Sequence, residues 1–264
     1  MLIIADRIDA TRRYIAQAIA SRNREFIHGE ARDQEASGAD YLNLNAAIFG
    51  RNEAVHLRWV IDAVQEVTDL PLCLDSRDPA VLREVLPIVK HRPMINAVTL
   101  EKGRMEGILS LAIDYRAKLV ASCQAENSPA ETADAKVGIA TMLIEKITAA
   151  GIQPGDLYID PLVYSLSTNQ QSARATLEAI SRIMGCFKGV HTICCLSTVS
   201  YGLPVRSLIN RTFLAAAMDR GLDSAIIDPT DRQLFATLKA GELITGRDES
   251  CLGYIVAYRK GRLE

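Results

Sequence analysis

No stretch of this chain is long and apolar enough for a transmembrane helix, which needs about 20 such residues. Residues 1–4 are also too short for the apolar region of a signal peptide, and Asp6 and Arg7 follow at once. With 48% hydrophobic and 23% charged residues, the 264-residue chain has an ordinary globular composition. We therefore expect a soluble protein with a large core and no membrane partner.

An excess of one charge sign is missing too. The 30 Lys and Arg residues face 32 Asp and Glu residues, which leaves a formal net charge of −2. Proteins that bind nucleic acid through its phosphates rely on a surplus of cations. The near-balance argues against a nucleic-acid partner.

Metal-binding spacings are absent as well. The six cysteines show no C-x-x-C pattern, and the four histidines form no H-x-H or H-E-x-x-H, so we predict no metal site. Cys73, Cys123, Cys194 and Cys195 lie in or just after apolar runs and are predicted to be buried, reduced thiols. The two in the seventh strand are expected to face the core or the barrel, not its mouth, which excludes a cysteine nucleophile. Reduced thiols indicate a cytoplasmic protein.

What the sequence does contain is a series of short apolar runs, each followed by a segment with helical periodicity. This pattern is typical of repeated βα units, and near-continuous apolar runs indicate strands buried on both faces. Because the units run through both ends of the chain, we predict an α/β fold, a single (β/α)8 TIM barrel over residues 1–264, in preference to a doubly wound sheet. The predicted strands are residues 2–6, 41–45, 72–75, 94–96, 118–122, 157–160, 192–196 and 225–228.

The intervening segments are predicted to be amphipathic helices. The first is expected to run unbroken over residues 10–37. The second, over residues 53–68, should bury Val55 and Val60, and a later one, over residues 132–150, should bury Met142 and Leu143. An amphipathic tail over residues 252–262 is expected to pack across the barrel or a partner subunit.

Polar side chains end most of the predicted strands. In a barrel of this kind the functional groups come from the carboxyl ends of the strands. Asp78 precedes a proline and a helical run, so we interpret it as a helix cap. Asp75 and Asn96 come too early to cap the next helix, and Asp160 precedes a proline that disfavours helical geometry there. The strand-end residues are Asp6 with Asp9, Asn45 with Asn43, Asp75, Asn96, Ser122, Asp160, Ser197 with Thr198, and Asp228.

The predicted mouth has carboxylates and amides but no set of basic side chains. Such groups suit a ligand that presents several N–H donors beside carbonyl and ring-nitrogen acceptors along one edge. An aminopyrimidinone is such a group. A sugar phosphate would instead need glycine-rich amides or cations after strands seven and eight, where residues 193–206 hold one Gly and one Arg. The residues therefore favour a polar heterocycle over a phosphate.

Several short motifs follow one another in a fixed order: Leu42-Asn-Leu-Asn45, Leu72-Cys-Leu-Asp-Ser76, Met94-Ile-Asn96, Leu157-Tyr-Ile-Asp-Pro-Leu162, Leu196-Ser197 and Ser207-Leu-Ile-Asn-Arg-Thr-Phe-Leu-Ala215. In order and spacing they resemble the pterin-binding barrel family, and within it the methyltetrahydrofolate:corrinoid-protein methyltransferases. The resemblance covers nearly the whole chain.

The resemblance implies a role for each part of the mouth. Asp75, Asn96 and Asp160 would hydrogen-bond the pyrimidine end of the pterin, while Ser197, Thr198 and Arg206 would lie beside N5, where the methyl group is exchanged. Asp6 and Asn45 complete the expected pterin contacts, and Thr198, Asp160 and Asn96 are the expected catalytic residues. Tetrahydrofolate or 5-methyltetrahydrofolate would be the substrate, and a cobamide (cobalamin) would be carried by a partner, the corrinoid protein. The family also implies a homodimer.

Two of the motifs depart from the family pattern, at three positions in all. Asp6-Arg-Ile-Asp9 stands where the family usually has Glu-Arg-Ile-Asn, and Thr198 stands where an Asn usually follows the serine. Both changes touch the reacting end more than the pterin anchor, and they favour formation of methyltetrahydrofolate with the direction left open. The alternatives are a dihydropteroate synthase-like enzyme, which needs cations after strands seven and eight, and a non-catalytic pterin or cobamide carrier.

Overall fold

Eight parallel strands form the centre of the protein. The computed structural model describes residues 1–101, 103–124 and 130–263. The strands pair in chain order and β1 also pairs with β8, so the sheet closes into a barrel, which confirms the predicted fold class. The strands are β1 (Leu2–Ala5), β2 (Tyr41–Asn45), β3 (Leu72–Asp75), β4 (Met94–Val98), β5 (Lys118–Ser122), β6 (Leu157–Asp160), β7 (His191–Cys195) and β8 (Ser224–Ile227).

Helices surround the barrel. Within the described residues they are α1 (Arg13–Ala20), α2 (Arg24–Ala36), α3 (Glu53–Gln65), α4 (Pro79–Val85), α5 (Arg104–Asp114), α6 (Ala133–Ala149), α7 (Ser172–Cys186), α8 (Arg206–Asp219), α9 (Arg232–Ile244) and α10 (Leu252–Arg259). None of the helices in this part of the chain has the length and apolar character needed to cross a membrane.

The prediction of one unbroken first helix is wrong. Arg22 adopts a φ of 57°, in the left-handed region, which ends α1. The side chain of Asn23 then accepts a hydrogen bond from the backbone N–H of Phe26 at 3.1 Å and caps α2.

Two predicted core positions also prove to be exposed. Val55 is 58% exposed because the buried face of α3 runs through Leu57, Val60 and Val64, and Val55 lies on the opposite side of the helix. Met142 is 45% exposed, although its neighbour Leu143 is fully buried as predicted. Adjacent residues on a helix point about 100° apart, so a one-residue error moves a side chain from core to solvent.

The C-terminal segment packs on the outside of the barrel. Helix α10 contacts α9 and buries Ala257. Beyond it the guanidinium of Arg262 lies 3.7 Å from the ring centroid of Phe235 and donates a hydrogen bond to the backbone oxygen of Ser37. The predicted tail therefore joins α9 to the end of α2.

The interior of the barrel is filled by one apolar or aromatic side chain from each strand. This interior ring consists of Ile4, Tyr41, Cys73, Met94, Val120, Tyr158, Ile193 and Ile226. Because side chains alternate across a strand, the residue two positions further along points to the same side, one layer closer to the carboxyl ends. The interior ring therefore determines which residues face the mouth.

Polar side chains close the opposite end of the barrel. The Nζ of Lys118 donates to the hydroxyl of Tyr158 at 2.9 Å, and the ring of His191 stacks on Tyr158 with centroids 4.7 Å apart. Nδ1 of His191 lies 2.6 Å from Oδ2 of Asp223. This hydrogen bond raises the pKa of His191 above its usual value near 6.5.

The raised pKa predicts a pH-dependent contribution to stability. The His191–Asp223 pair contributes fully below about pH 6.5 and loses its contribution as the pH rises through the higher pKa of the folded state. Asp223→Asn should therefore lower the free energy of unfolding at pH 5.5 more than at pH 9. The extra loss should be about 1 kcal/mol or less, since the two side chains are 36% and 26% exposed.

Urea unfolding at the two pH values measures this difference. Asp219→Asn, at a side chain that is 77% exposed, is the control and should change little. An equal loss at both pH values for Asp223→Asn would mean that the charge on His191 is not involved.

Candidate functional site

The mouth of the barrel is lined by the residues that follow the interior ring by two positions. These are Asp6, Asn43, Asp75, Asn96, Ser122, Asp160, Cys195 and Asp228. Most of them surround a cavity of about 400 Å³, which is also lined by Asp9, Thr11, Arg12, Ser197, Tyr201, Arg206 and Ile226. Seven of the eight are polar and the other is a thiol, so the layer above the apolar ring can form hydrogen bonds with a ligand.

Asp75 and Asn96 are paired neighbours on β3 and β4. Burial raises the pKa of the Asp75 carboxyl, and hydrogen bonds from Asn45 and Asn43 partly oppose that rise. The amide of Asn43 lies 3.4 Å from Oδ2 of Asp75. One side of the cavity is thus a row of carboxylate and amide groups on three adjacent strands.

Asn43 is a site residue to which the sequence assigned no ligand contact, because it was grouped with Asn45 at the end of its strand. It is 2% exposed, and its Oδ1 is buried beside the cavity without a hydrogen-bond partner among the residues that the structure describes. A buried acceptor without a partner is costly, and a ligand N–H would satisfy it. Asn45 does not line the cavity, and its Oδ1 accepts from the backbone N–H of Ala47 at 3.0 Å.

Asp160 faces Asp75 and Asn96 across the mouth from the end of β6. Its Oδ1 accepts from the backbone N–H of Leu162 at 2.8 Å. Burial raises the pKa of Asp160 to about 6, although the Leu162 N–H and the charge of Lys136 both act to lower it. The carboxyl group belongs to the cavity and caps no helix, whereas Asp78 caps α4 as predicted.

Asp6 lies one residue beyond the end of β1. Burial raises its pKa to about 6, and the nearby carboxylates of Asp228 and Asp9 raise it further, against the lowering effect of Arg12. Nη2 of Arg12 donates to Oδ1 of Asp6 at 3.1 Å. Asp6 also borders a second cavity of about 230 Å³ that adjoins the first.

The prediction that the cysteines of strand seven face away from the mouth is wrong for Cys195. It is the last residue of β7, two positions after Ile193 of the interior ring, and it lines the cavity. Burial raises the pKa of its thiol to about 12, and the hydroxyls of Thr198 and Ser197 oppose this only in part. The thiol is protonated at neutral pH, so it is no ready nucleophile.

Arg206 holds the loop that follows β7. Its Nη2 donates to the backbone oxygen of Ser197 at 2.7 Å, and its Nε donates to the hydroxyl of Ser200 at 3.1 Å. Of the residues selected from the sequence, the structure gathers around the cavity Asp6, Asp75, Asn96, Asp160, Ser197 and Arg206. Thr198 is not among the residues that line the cavity, but its side chain forms a hydrogen bond with Cys195, which does line it.

The arrangement is well suited to a flat, nitrogen-rich ring. Carboxylates of Asp75 and Asp160 accept N–H donors, amides of Asn43 and Asn96 accept and donate, and hydroxyls lie at the β7 side. No three His, Cys, Asp or Glu side chains of the described residues are placed to hold a metal ion.

Comparisons with known proteins agree with this geometry. The model of a family described as pterin-binding enzymes matches residues 15–228. A methylcorrinoid:tetrahydrofolate methyltransferase of Eubacterium limosum is 33% identical, over 100% of this chain and 98% of that protein. A methionine synthase of Mycobacterium tuberculosis is 31% identical over 86% of this chain, which corresponds to 20% of that longer protein.

Solved structures show the same fold at lower identity. The dihydropteroate synthase of Yersinia pestis superposes with a TM-score of 0.68 at 16% identity, over 93% of this chain and 92% of that chain. The enzyme of Xanthomonas albilineans, in complex with 7,8-dihydropteroate, gives 0.67 at 20% identity, over 94% and 93%. At these identities the likeness concerns the fold alone.

The raised pKa of Asp160 predicts a stability cost in the ligand-free protein. Because this pKa is about 6 in the folded state against 3.8 for a free side chain, folding favours the protonated form, and stability falls as the pH rises through that interval. Asp160→Asn, which keeps an acceptor for the Leu162 N–H, should therefore raise the free energy of unfolding at pH 8. The gain should be about 2 kcal/mol.

Urea unfolding at pH 8 and pH 4 measures the gain, which should shrink at the lower pH. Glu145→Gln, on the exposed face of α6, is the surface control and should stay within about 0.5 kcal/mol of the wild type. A destabilised Asp160→Asn at pH 8 would mean that the buried carboxylate does not oppose folding.

Proposed function

Since the chain belongs to the family of pterin-binding enzymes, we propose that it is a methyltransferase that moves a methyl group between the cobalt of a corrinoid protein and N5 of tetrahydrofolate. The observation that carries the proposal is the mouth cavity. It holds carboxylates and amides that are complementary to a pterin, the acceptor row of Asn43, Asp75, Asn96 and Asp160, and hydroxyl groups at the β7 side. Similarity along the whole chain to a protein named for this reaction supports it.

The acceptor row would bind the pyrimidine end of the pterin. The 2-amino group and the ring N–H are donors that match the carboxylates of Asp75 and Asp160. The amide of Asn96 matches a neighbouring donor and acceptor pair. Asn43 would add its buried oxygen, which has no partner within the described part of the chain. Such contacts would direct N5 toward the end of β7.

Methyl transfer at that end also requires the transfer of the proton on N5. When tetrahydrofolate is methylated, the N5 lone pair forms the new C–N bond, both electrons of the cobalt–carbon bond remain on cobalt, and N5 loses a proton. The corrinoid supplies a methyl group that leaves without its bonding electrons. In the reverse direction N5 is a leaving group and needs a donated hydrogen bond.

Three side chains would accept or donate this N5 proton: Asp6, Ser197 and Thr198. The hydroxyls of Ser197 and Thr198 can both donate and accept, and Asp6, with a pKa of about 6, is mostly ionised at pH 7 and can accept a proton through them. An acceptor at this position favours the formation of methyltetrahydrofolate. We therefore propose that direction, in a pathway that demethylates other compounds.

The corrinoid protein would dock over the mouth. Tyr201 and Val205, in the segment after β7, are each 69% exposed, and Tyr201 lines the cavity, so apolar surface borders the place where cobalt must approach N5. We further propose that the protein acts in the cytoplasm as a homodimer.

A dihydropteroate synthase-like activity is the second candidate, and it would need cations to stabilise a pyrophosphate leaving group. Arg206 is the basic side chain after β7 that lines the cavity, and its hydrogen bonds go to Ser197 and Ser200. The site therefore supports methyl transfer better.

The assay that tests the function is anaerobic absorbance spectroscopy of methylcob(III)alamin mixed with the enzyme and tetrahydrofolate. Loss of the methylcobalamin spectrum and growth of the cob(I)alamin spectrum are expected, with catalytic turnover, and Asp75→Ala should abolish both. Stoichiometric binding without turnover would favour a carrier. No reaction in either direction would contradict the proposal.

Thr198→Ala tests the reacting end separately. Loss of one neutral hydrogen bond near N5 should slow methyl transfer about tenfold in both directions, while the dissociation constant for tetrahydrofolate stays nearly unchanged, since Thr198 lies away from the acceptor row. Thr212→Ala, on the exposed side of α8, is the matched control. Unchanged rates for Thr198→Ala in both directions would remove the hydroxyl from the mechanism.

A further inference from the structure

Lys136 of α6 is completely buried, with 0% of its surface exposed. Lysine is almost never fully buried unless its ammonium group is paired. Its Nζ donates to the backbone oxygen of Pro161 at 2.8 Å and to that of Leu162 at 2.6 Å. It also lies 4.8 Å from the ring centroid of Tyr164. All of these partners lie in the segment just after β6.

The two carbonyl groups belong to the turn that orients Asp160. Leu162 has a φ of 57°, a left-handed conformation that is unfavourable for a branched side chain. Its N–H nevertheless points back to Oδ1 of Asp160. Lys136 thus binds the carbonyl groups of this turn, while the Leu162 N–H of the same turn binds Oδ1 of Asp160. Oδ2 of Asp160 can then face the cavity.

Lys136 is also the cation that acts on Asp160. Its charge and the Leu162 N–H both lower the pKa of that carboxyl against the effect of burial. The other titratable groups that face this pair are neutral thiols and a phenol whose pKa values are raised by burial, together with one carboxylate near Lys136. They are Cys123, Cys194, Cys195, Tyr164 and Glu131.

We propose that Lys136 is a positioning residue for the pterin: it fixes the turn at residues 160–162 and keeps the Asp160 carboxylate ionised and aimed at the ligand N–H groups. The identity of the ligand rests on the proposed function. The effect on Asp160 itself does not, because it follows from contacts within the protein.

Lys136→Met tests this with a side chain of similar length that has neither charge nor donors. In the ligand-free protein the pKa of Asp160, followed by NMR of ¹³C-labelled aspartate and assigned with Asp160→Asn, should rise by about one unit. Because only the ionised fraction binds, the higher pKa alone should weaken tetrahydrofolate binding about fivefold at pH 6. Above pH 8 this part of the loss should vanish, and only the smaller, pH-independent loss from the released turn should remain. A merely structural role would weaken binding equally at every pH.

Lys146→Met, on the exposed face of the same helix, is the matched control and should leave both quantities unchanged. Lys136→Gln keeps one donor without the charge, and it carries the test if Lys136→Met does not fold. An unchanged Asp160 pKa in the folded variants overturns the inference. If the pKa rises but the wild type binds no tetrahydrofolate, the positioning role stands and the proposed function fails.

Discussion

Alternation of side chains along eight closed parallel strands is the constraint on which the rest of the molecule depends. Once the interior ring is filled by residues such as Tyr41, Met94 and Ile193, the positions two residues further must face the mouth. The apolar layer therefore serves as the floor of the site. Any change of register that preserved the floor would also preserve the site, and a one-residue slip would destroy both.

The buried polar groups at the mouth lower the stability of the ligand-free protein. Burial raises the pKa values of Asp6 and Asp160 to about 6, and the side-chain oxygen of Asn43 has no hydrogen-bond partner in residues 1–101, 103–124 and 130–263. These groups oppose folding in the absence of a ligand, and two buried or half-buried cations, Arg12 and Lys136, offset only part of the cost. A ligand rich in N–H donors would satisfy Asp160 and Asn43 together. Binding affinity and the loss of stability thus have the same origin.

Much of this arrangement could be predicted from the sequence, because it depends on periodicity. The apolar runs indicate the strands, and the polar residues that end them indicate the mouth. Asn43 is not the last residue of its strand, but counting by two from Tyr41 places it on the same side as Tyr41. Cys195 follows from the same count. The break between α1 and α2 had no such signal, since Arg22 adopts a conformation that sequence leads one to expect of glycine.

The burial of Lys136 is indicated by the sequence itself. It precedes Ile139 and Leu143 at helical spacing, so it occupies a core position of α6. A charged residue in an apolar stripe indicates a buried partner. Its partner, the turn after β6, lies 25 residues away in the chain and could be identified only once the strands had been assembled.

The mouth layer takes one side chain from each strand, and consecutive members are separated by a helix and two loops. Each position can therefore be altered by a single codon without disturbing the backbone that carries its neighbours. Thr198 lies in the loop beyond the strand, where drift is least constrained, while the acceptor row occupies strand positions with paired neighbours. In the evolution of such a barrel, the residues at the mouth should therefore change one βα unit at a time. The segment after β7, where the reaction takes place, should change its chemistry before the acceptor row changes the ligand that it binds.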